Sequence, residues 1–172
     1  RNLVNELLEM DDIEITLFNR QKTQANLFPK INKIKGYRET ADIKQIARSN
    51  WDFVIDLSCY YPESLEAALN LFGKVRKYIF ISTCSVYDNA SNRSLERDEN
   101  SKILGCSLSQ KTDRNPETYG NRKTECERIL LASGIPYTIL RPALVFGKYD
   151  PTDRLYYWLY QVVHRKSLLL PD

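Results

Sequence analysis

Three apolar runs constrain this chain more than any other feature: "WDFVIDLSC" (51–59), "KYIFISTCSVY" (77–87) and "PYTILRPALVFG" (136–147). A strand with one wet face alternates apolar and polar residues, whereas a strand covered on both faces reads as a continuous apolar run. These segments read as covered strands. Between them run helical periodicities. "PESLEAALNLFGKV" (62–75) opens on a proline suited to a first helical turn and sets Leu65, Ala68, Leu69 and Phe72 on one side. A second helix starts near "NPET" (115–118), where Asn115 can cap and Pro116 fits the first turn, and stops at Gly134. Strands alternating with helices imply a parallel sheet with helices on both sides, hence an α/β, three-layer, doubly wound fold.

The remaining elements fit that scheme. "RNLVNELLEM" (1–10) has helical spacing, "IEITLFNR" (13–20) alternates like a strand, "INKIKG" (31–36) is a short strand, and "TADIKQIARSN" (40–50) is a helix with a polar start. The polar insertion between Tyr87 and Tyr119 exceeds the usual loop limit of about 15 residues, which marks it as functional or mobile. No repeat or low-complexity tract interrupts the chain. A net charge of +3 with mixed signs lacks the basic stripe that nucleic acid or an anionic membrane would require. No apolar run approaches the roughly 20 residues needed to span a bilayer. The four cysteines show no CxxC spacing and read as reduced thiols of a cytoplasmic protein. One histidine and scattered cysteines assemble no metal site.

In an open parallel sheet, ligands bind beyond the carboxyl ends of the strands. Three such ends stand out: Asn19-Arg20, Leu57-Ser58-Cys59 and Ser82-Thr83. Small polar residues also cap strands with no further role. Tyr119, Lys123, Cys126 and Leu130 follow each other at +4, +3 and +4, so Lys123 shares the packed face of its helix. Two readings stand for it. Its stem can cross the sheet edge and put the ammonium in water. Alternatively the ammonium lies beside the Tyr119 phenol and lowers a pKa that starts near 10, readying the tyrosine to exchange a proton near neutral pH.

"YGNRK", "ISTCSVY" and "LRPALVFG", in a chain that also carries "LFNRQKT" and "YDPTDRLYYW", make the sequence resemble the extended short-chain dehydrogenase/reductases, specifically NAD-dependent epimerase/dehydratase-like proteins and their nucleoside-diphosphate-sugar epimerase or reductase subgroup. The resemblance implies a Rossmann-like fold. It divides the chain into a dinucleotide-binding part over 1–147, short of its first strand and glycine-rich turn, and the beginning of a substrate-binding region over 148–172. It implies that Tyr119 is the catalytic acid/base, that Lys123 lowers its pKa while bonding the nicotinamide ribose, and that Thr83 hydrogen-bonds the reacting oxygen. Ser82 and Pro142, Ala143, Leu144 and Val145 would line the nicotinamide pocket. Leu57, Ser58 and Cys59 would flank the ribose and pyrophosphate, with Asn19 and Arg20 at the second strand's end. Arg20 stands where an acidic residue would favour NAD, so it either meets a 2′-phosphate, tilting the choice to NADP, or is a solvated strand-end charge. The implied activity is NAD(P)-dependent oxidation, reduction or epimerisation of a small-molecule hydroxyl or carbonyl, with a nucleotide sugar as candidate substrate and a homodimer as the assembly. Relatives of this subgroup include chloroplast proteins that bind stem-loop RNA, so a cofactor-sensing or RNA-binding scaffold is the competing reading.

Overall fold

The computed structural model describes residues 1–48, 50–72, 74–90, 96–150 and 152–168. Part of the expected polar insertion (91–95), the end of the expected 148–172 region (169–172) and positions 49, 73 and 151 lie outside the described residues. The chain forms two compact parts, Arg1–Arg141 and Pro142 onward.

The first part opens with helix α1 (Asn2–Leu8), none of whose residues is buried. Strands β1 (Thr16–Asn19) and β2 (Asn32–Lys35) pair in parallel, with Thr16 opposite Asn32 and Asn19 opposite Lys35. The expected helix over 40–50 is a 3-10 helix, Ala41–Arg48. Side chains three residues apart eclipse each other in that conformation. Ile43 and Ile46 therefore point the same way, and both are buried.

Strands β3 (Phe53–Asp56), β4 (Lys77–Ile81) and β5 (Tyr137–Leu140) form a second parallel sheet in the order β3-β4-β5. Helix α2 (Pro62–Leu69) connects the first two and buries Leu65, Ala68 and Leu69. It ends six residues before the periodic pattern does. Phe72 still packs edge-on against Tyr78 from the following turn, at a ring separation of 6.0 Å. The insertion holds structure of its own: helix α3 (Leu108–Thr112) starts on a capping box in which Ser107 and Gln110 satisfy each other's backbone. Asn115 caps a short 3-10 turn, Pro116–Thr118, that feeds helix α4 (Tyr119–Ala132). Gly134 adopts a positive φ of 71° just beyond it, the conformation that glycine supplies most cheaply at a helix end.

Leu65, Leu69, Phe72, Tyr78, Phe80, Cys59, Cys126 and Leu130 form one core where α2 and α4 lie on the β3-β4-β5 sheet. Among the described residues β1 pairs only with β2, and β3 only with β4. A groove of about 570 Å³ is lined by both β1 and β3 along their length. The second part contains α5 (Arg154–His164), an aromatic-rich helix in which Tyr160 stacks on His164 at 4.1 Å. Among the described residues no helix is long and apolar enough to cross a membrane.

Candidate active site

The site grows from the start of α4. Its helical spacing places Tyr119 half-buried at the first turn and carries Lys123, Cys126 and Leu130 inward. Burial extends beyond that stripe, since every residue from Arg122 to Glu127 is buried. Lys123 is 1% exposed, which rules out the reading in which its ammonium reaches water. Its Nζ donates to the carbonyls of Cys59 at 2.7 Å and Ile81 at 2.9 Å, and sits 3.8 Å from the centre of the Phe80 ring. Burial lowers its pKa, because a desolvated ammonium loses hydration that the protonated form needs.

The expected effect of Lys123 on Tyr119 is not what the structure shows. The Tyr119 pKa is raised, first by burial and then by the neighbouring Tyr60, while the nearby Thr83 side chain works in the opposite direction. Lys123 is not among the leading influences on the phenol. The ammonium instead donates to two main-chain carbonyls on the strand tips.

Thr83 lies near enough to Tyr119 to act on its phenol, while its own hydroxyl donates to Ser85 Oγ at 3.2 Å. Thr83 is buried immediately after β4, where its hydroxyl accepts from the Ser85 N–H at 3.2 Å and so caps the turn Cys84–Val86. Ser82, also buried, keeps an Oγ with no hydrogen-bond partner. A buried hydroxyl left without a partner is costly.

Cys59 lies buried beyond β3, one link from Lys123 through its carbonyl. Asn19, Arg20, Leu57 and Ser58 all line the groove between β1 and β3. Asn19 is engaged locally, its Oδ1 accepting from Gln21 N–H at 2.8 Å. Arg20 makes no ion pair among the described residues, and its guanidinium lies 5.5 Å from the Tyr37 ring centre. Pro142, Ala143, Leu144 and Val145 belong to the second compact part, with Leu144 and Val145 exposed.

Sequence reasoning missed three contributors. Tyr60 lines the groove, and its ring lies 6.1 Å from that of Tyr119, so it links the groove to the start of α4. Tyr37 supports Arg20. Asp56 accepts two bonds from Arg38, at 2.5 and 3.1 Å, and one from the Tyr78 hydroxyl at 2.5 Å. A signal existed for the last: a carboxylate ending an apolar run must find a partner when the sheet is covered.

The Arg20 guanidinium, without an ion pair among the described residues and lining the groove, suits a ligand that brings an anion. A phosphorylated dinucleotide has that chemistry.

The family model described as "NAD dependent epimerase/dehydratase family" matches residues 59–172. The chain belongs to that family. A curated relative, chloroplast stem-loop binding protein of 41 kDa b from Arabidopsis thaliana, is 25% identical in an alignment of length 171 that covers 90% of this chain and 42% of the relative. This chain therefore spans less than half of that protein's length. A short-chain dehydrogenase/reductase from Veillonella parvula, solved in complex with NADP, superposes with a TM-score of 0.57 at 15% identity, over 96% of this chain and 82% of the other. A UDP-N-acetylglucosamine 4-epimerase from Methanobrevibacter ruminantium, in complex with UDP-N-acetylmuramic acid, gives a TM-score of 0.52 at 18% identity, over 74% and 46% of the two chains. At these identities the structural likeness speaks for a Rossmann-like fold.

Proposed function

We propose that this chain forms the reactive part of an NAD(P)-dependent oxidoreductase or epimerase acting on a hydroxyl or carbonyl of a small molecule, with a nucleotide sugar as substrate and NADP as the preferred dinucleotide. The observation that carries this reading is the buried Lys123 ammonium, fixed by the Cys59 and Ile81 carbonyls one turn along α4 from the half-buried Tyr119, with Thr83 near the same phenol. The NADP-bound and UDP-sugar-bound structural neighbours support the ligand classes.

The bound dinucleotide supplies the hydride chemistry. The chain's residues hold and protonate. With its pKa raised, the Tyr119 phenol keeps its proton at neutral pH, so the resting site is in the acid form and suited to protonating a substrate oxygen that gains negative charge. The Thr83 hydroxyl, which donates to Ser85 Oγ at 3.2 Å in the free chain, redirects that hydrogen bond to the same oxygen. Lys123 draws the tips of β3 and β4 together and contributes positive charge near the ribose. Ser82 lines the nicotinamide side, Leu57 to Cys59 flank the ribose and pyrophosphate, and Asn19 and Arg20 meet the adenosine end.

Tyr119→Phe in the full-length protein removes the proton donor and keeps the ring. Turnover of nucleotide sugars is expected to vanish while dinucleotide binding, followed by fluorescence titration, persists. Normal turnover would reject the role.

A second reading rests on one observation, the curated relative named for stem-loop binding. In that case the same fold serves as an RNA-binding scaffold. A salt-dependent gel shift with a stem-loop RNA, together with no turnover of any nucleotide sugar, would favour it.

A further inference from the structure

The groove cation is held by an aromatic ring that is itself tied down. Gly36 brings the chain close at the end of β2, since a Cβ there would press on the Phe18 ring and the Asp42 side chain. The next residue, Tyr37, is fixed on three sides. Its N–H donates to Asp42 Oδ2 at 3.1 Å, its carbonyl accepts from the Thr40 hydroxyl at 2.8 Å, and its own hydroxyl donates to Glu39 Oε2 at 2.8 Å. The Arg20 guanidinium lies 5.5 Å from the ring centre.

The nearby charges make Arg20 distinctive. Arg38 shares the groove but is consumed by Asp56 in a bidentate pair. The Glu39 carboxylate, which could neutralise Arg20, accepts instead from Arg114 at 3.1 Å. Arg20 is left as a cation without an ion pair among the described residues, standing on a fixed surface at the strand ends.

We propose that Tyr37 is a specificity-determining, positioning residue, whose ring holds the Arg20 guanidinium ready for a phosphomonoester on the ligand's ribose and so sets the preference for NADP over NAD. This rests on the reading of the groove as a dinucleotide site with Arg20 as its phosphate contact. An exposed arginine loses much side-chain freedom on binding, and a ring beneath the guanidinium reduces that loss before the ligand arrives. The gain applies only to the ligand carrying the extra phosphate.

The test is a binding titration of the full-length protein with NADPH and NADH for wild type, Arg20→Ala, Tyr37→Leu and Tyr37→Phe, with melting curves to verify folding. Wild type is expected to prefer NADPH, and Arg20→Ala to lose that preference. Tyr37→Leu weakens NADPH about fivefold, the size of one exposed cation–ring contact, and leaves NADH unchanged. Tyr37→Phe retains the ring and the preference. Equal weakening of both ligands by Tyr37→Leu, or no change in either, overturns the inference while a selective Arg20→Ala effect leaves the groove reading intact. If wild type binds neither ligand, or if Arg20→Ala leaves NADPH binding unchanged, the inference and the reading beneath it fall together.

Discussion

Replacing Lys123 with methionine separates the two things this side chain can do. Methionine keeps most of the stem, so little cavity opens, but the ammonium disappears from a residue that is 1% exposed. Two charge-assisted hydrogen bonds, to Cys59 and Ile81 carbonyls at 2.7 and 2.9 Å, go with it. Each contributes about 1.5–3 kcal/mol. Contact with the Phe80 ring at 3.8 Å adds about 2 kcal/mol in a desolvated setting. Against these stands the cost of burying the charge, several kcal/mol, which the variant recovers. The lowered pKa of Lys123 is the signature of that cost. These contributions largely offset one another, which leaves the stranded carbonyls, at about 1–3 kcal/mol each when a buried acceptor loses its partner. The expected net loss is about 2–6 kcal/mol, read as a lower urea midpoint with unchanged slope in the full-length protein. Tyr119→Phe, by contrast, is expected to stay close to wild type in the same assay. A methionine variant within about 0.5 kcal/mol of wild type, the range of an ordinary surface change, would refute the view that the ammonium supports the strand tips.

Asp56→Ala strands the part-buried Arg38 guanidinium and the Tyr78 hydroxyl, and is expected to cost about 3–5 kcal/mol by chemical denaturation. A loss below about 1 kcal/mol would show that the network is dispensable. Burial alone would raise the Asp56 pKa, but the Arg38 charge and the hydrogen bonds from Arg38 and Tyr78 hold it below the ordinary carboxylate value. Its contribution to stability is therefore complete above about pH 4 and fades as pH falls through the depressed folded value. Unfolding curves of wild type and Asp56→Asn should converge on acidification, and parallel curves would contradict this. Gly120→Ala places a Cβ against the Ser85 carbonyl and the Leu104 side chain. About 1–3 kcal/mol of overpacking is expected, visible as a lower melting temperature, together with displacement of the turn that follows Thr83. An unchanged melting temperature would mean that the turn shifts freely.

The fold was legible because the evidence for it is local and repetitive. Continuous apolar runs at 51–59, 77–87 and 136–147 became β3, β4 and β5, and the intervening periodicities became α2 and α4. Boundaries were less legible. The 62–75 pattern ends as a helix at Leu69, yet Phe72 remains buried because a turn can direct a side chain to the core as well as a helix can. The stretch at 40–50 coils as a 3-10 helix because only Ile43 and Ile46 need to face inward. The candidate site was proposed from residue types at strand ends, and Thr83 comes near Tyr119 because the turn after β4 packs against α4. The supports of Arg20 and Asp56 were not, since Tyr37 and Arg38 reach them across folded space rather than along a repeat.

The sequence alone determined the layered α/β scheme and the inward direction of Lys123, because periodicity fixes which face of a helix or strand is covered. It left open where the ammonium would go. Tertiary structure decided that, since the acceptors are carbonyls 64 and 42 positions away, on tips brought side by side only when β3 and β4 pair under α4. A charge driven into a covered site binds the nearest unsatisfied acceptors, and their placement belongs to the assembled sheet.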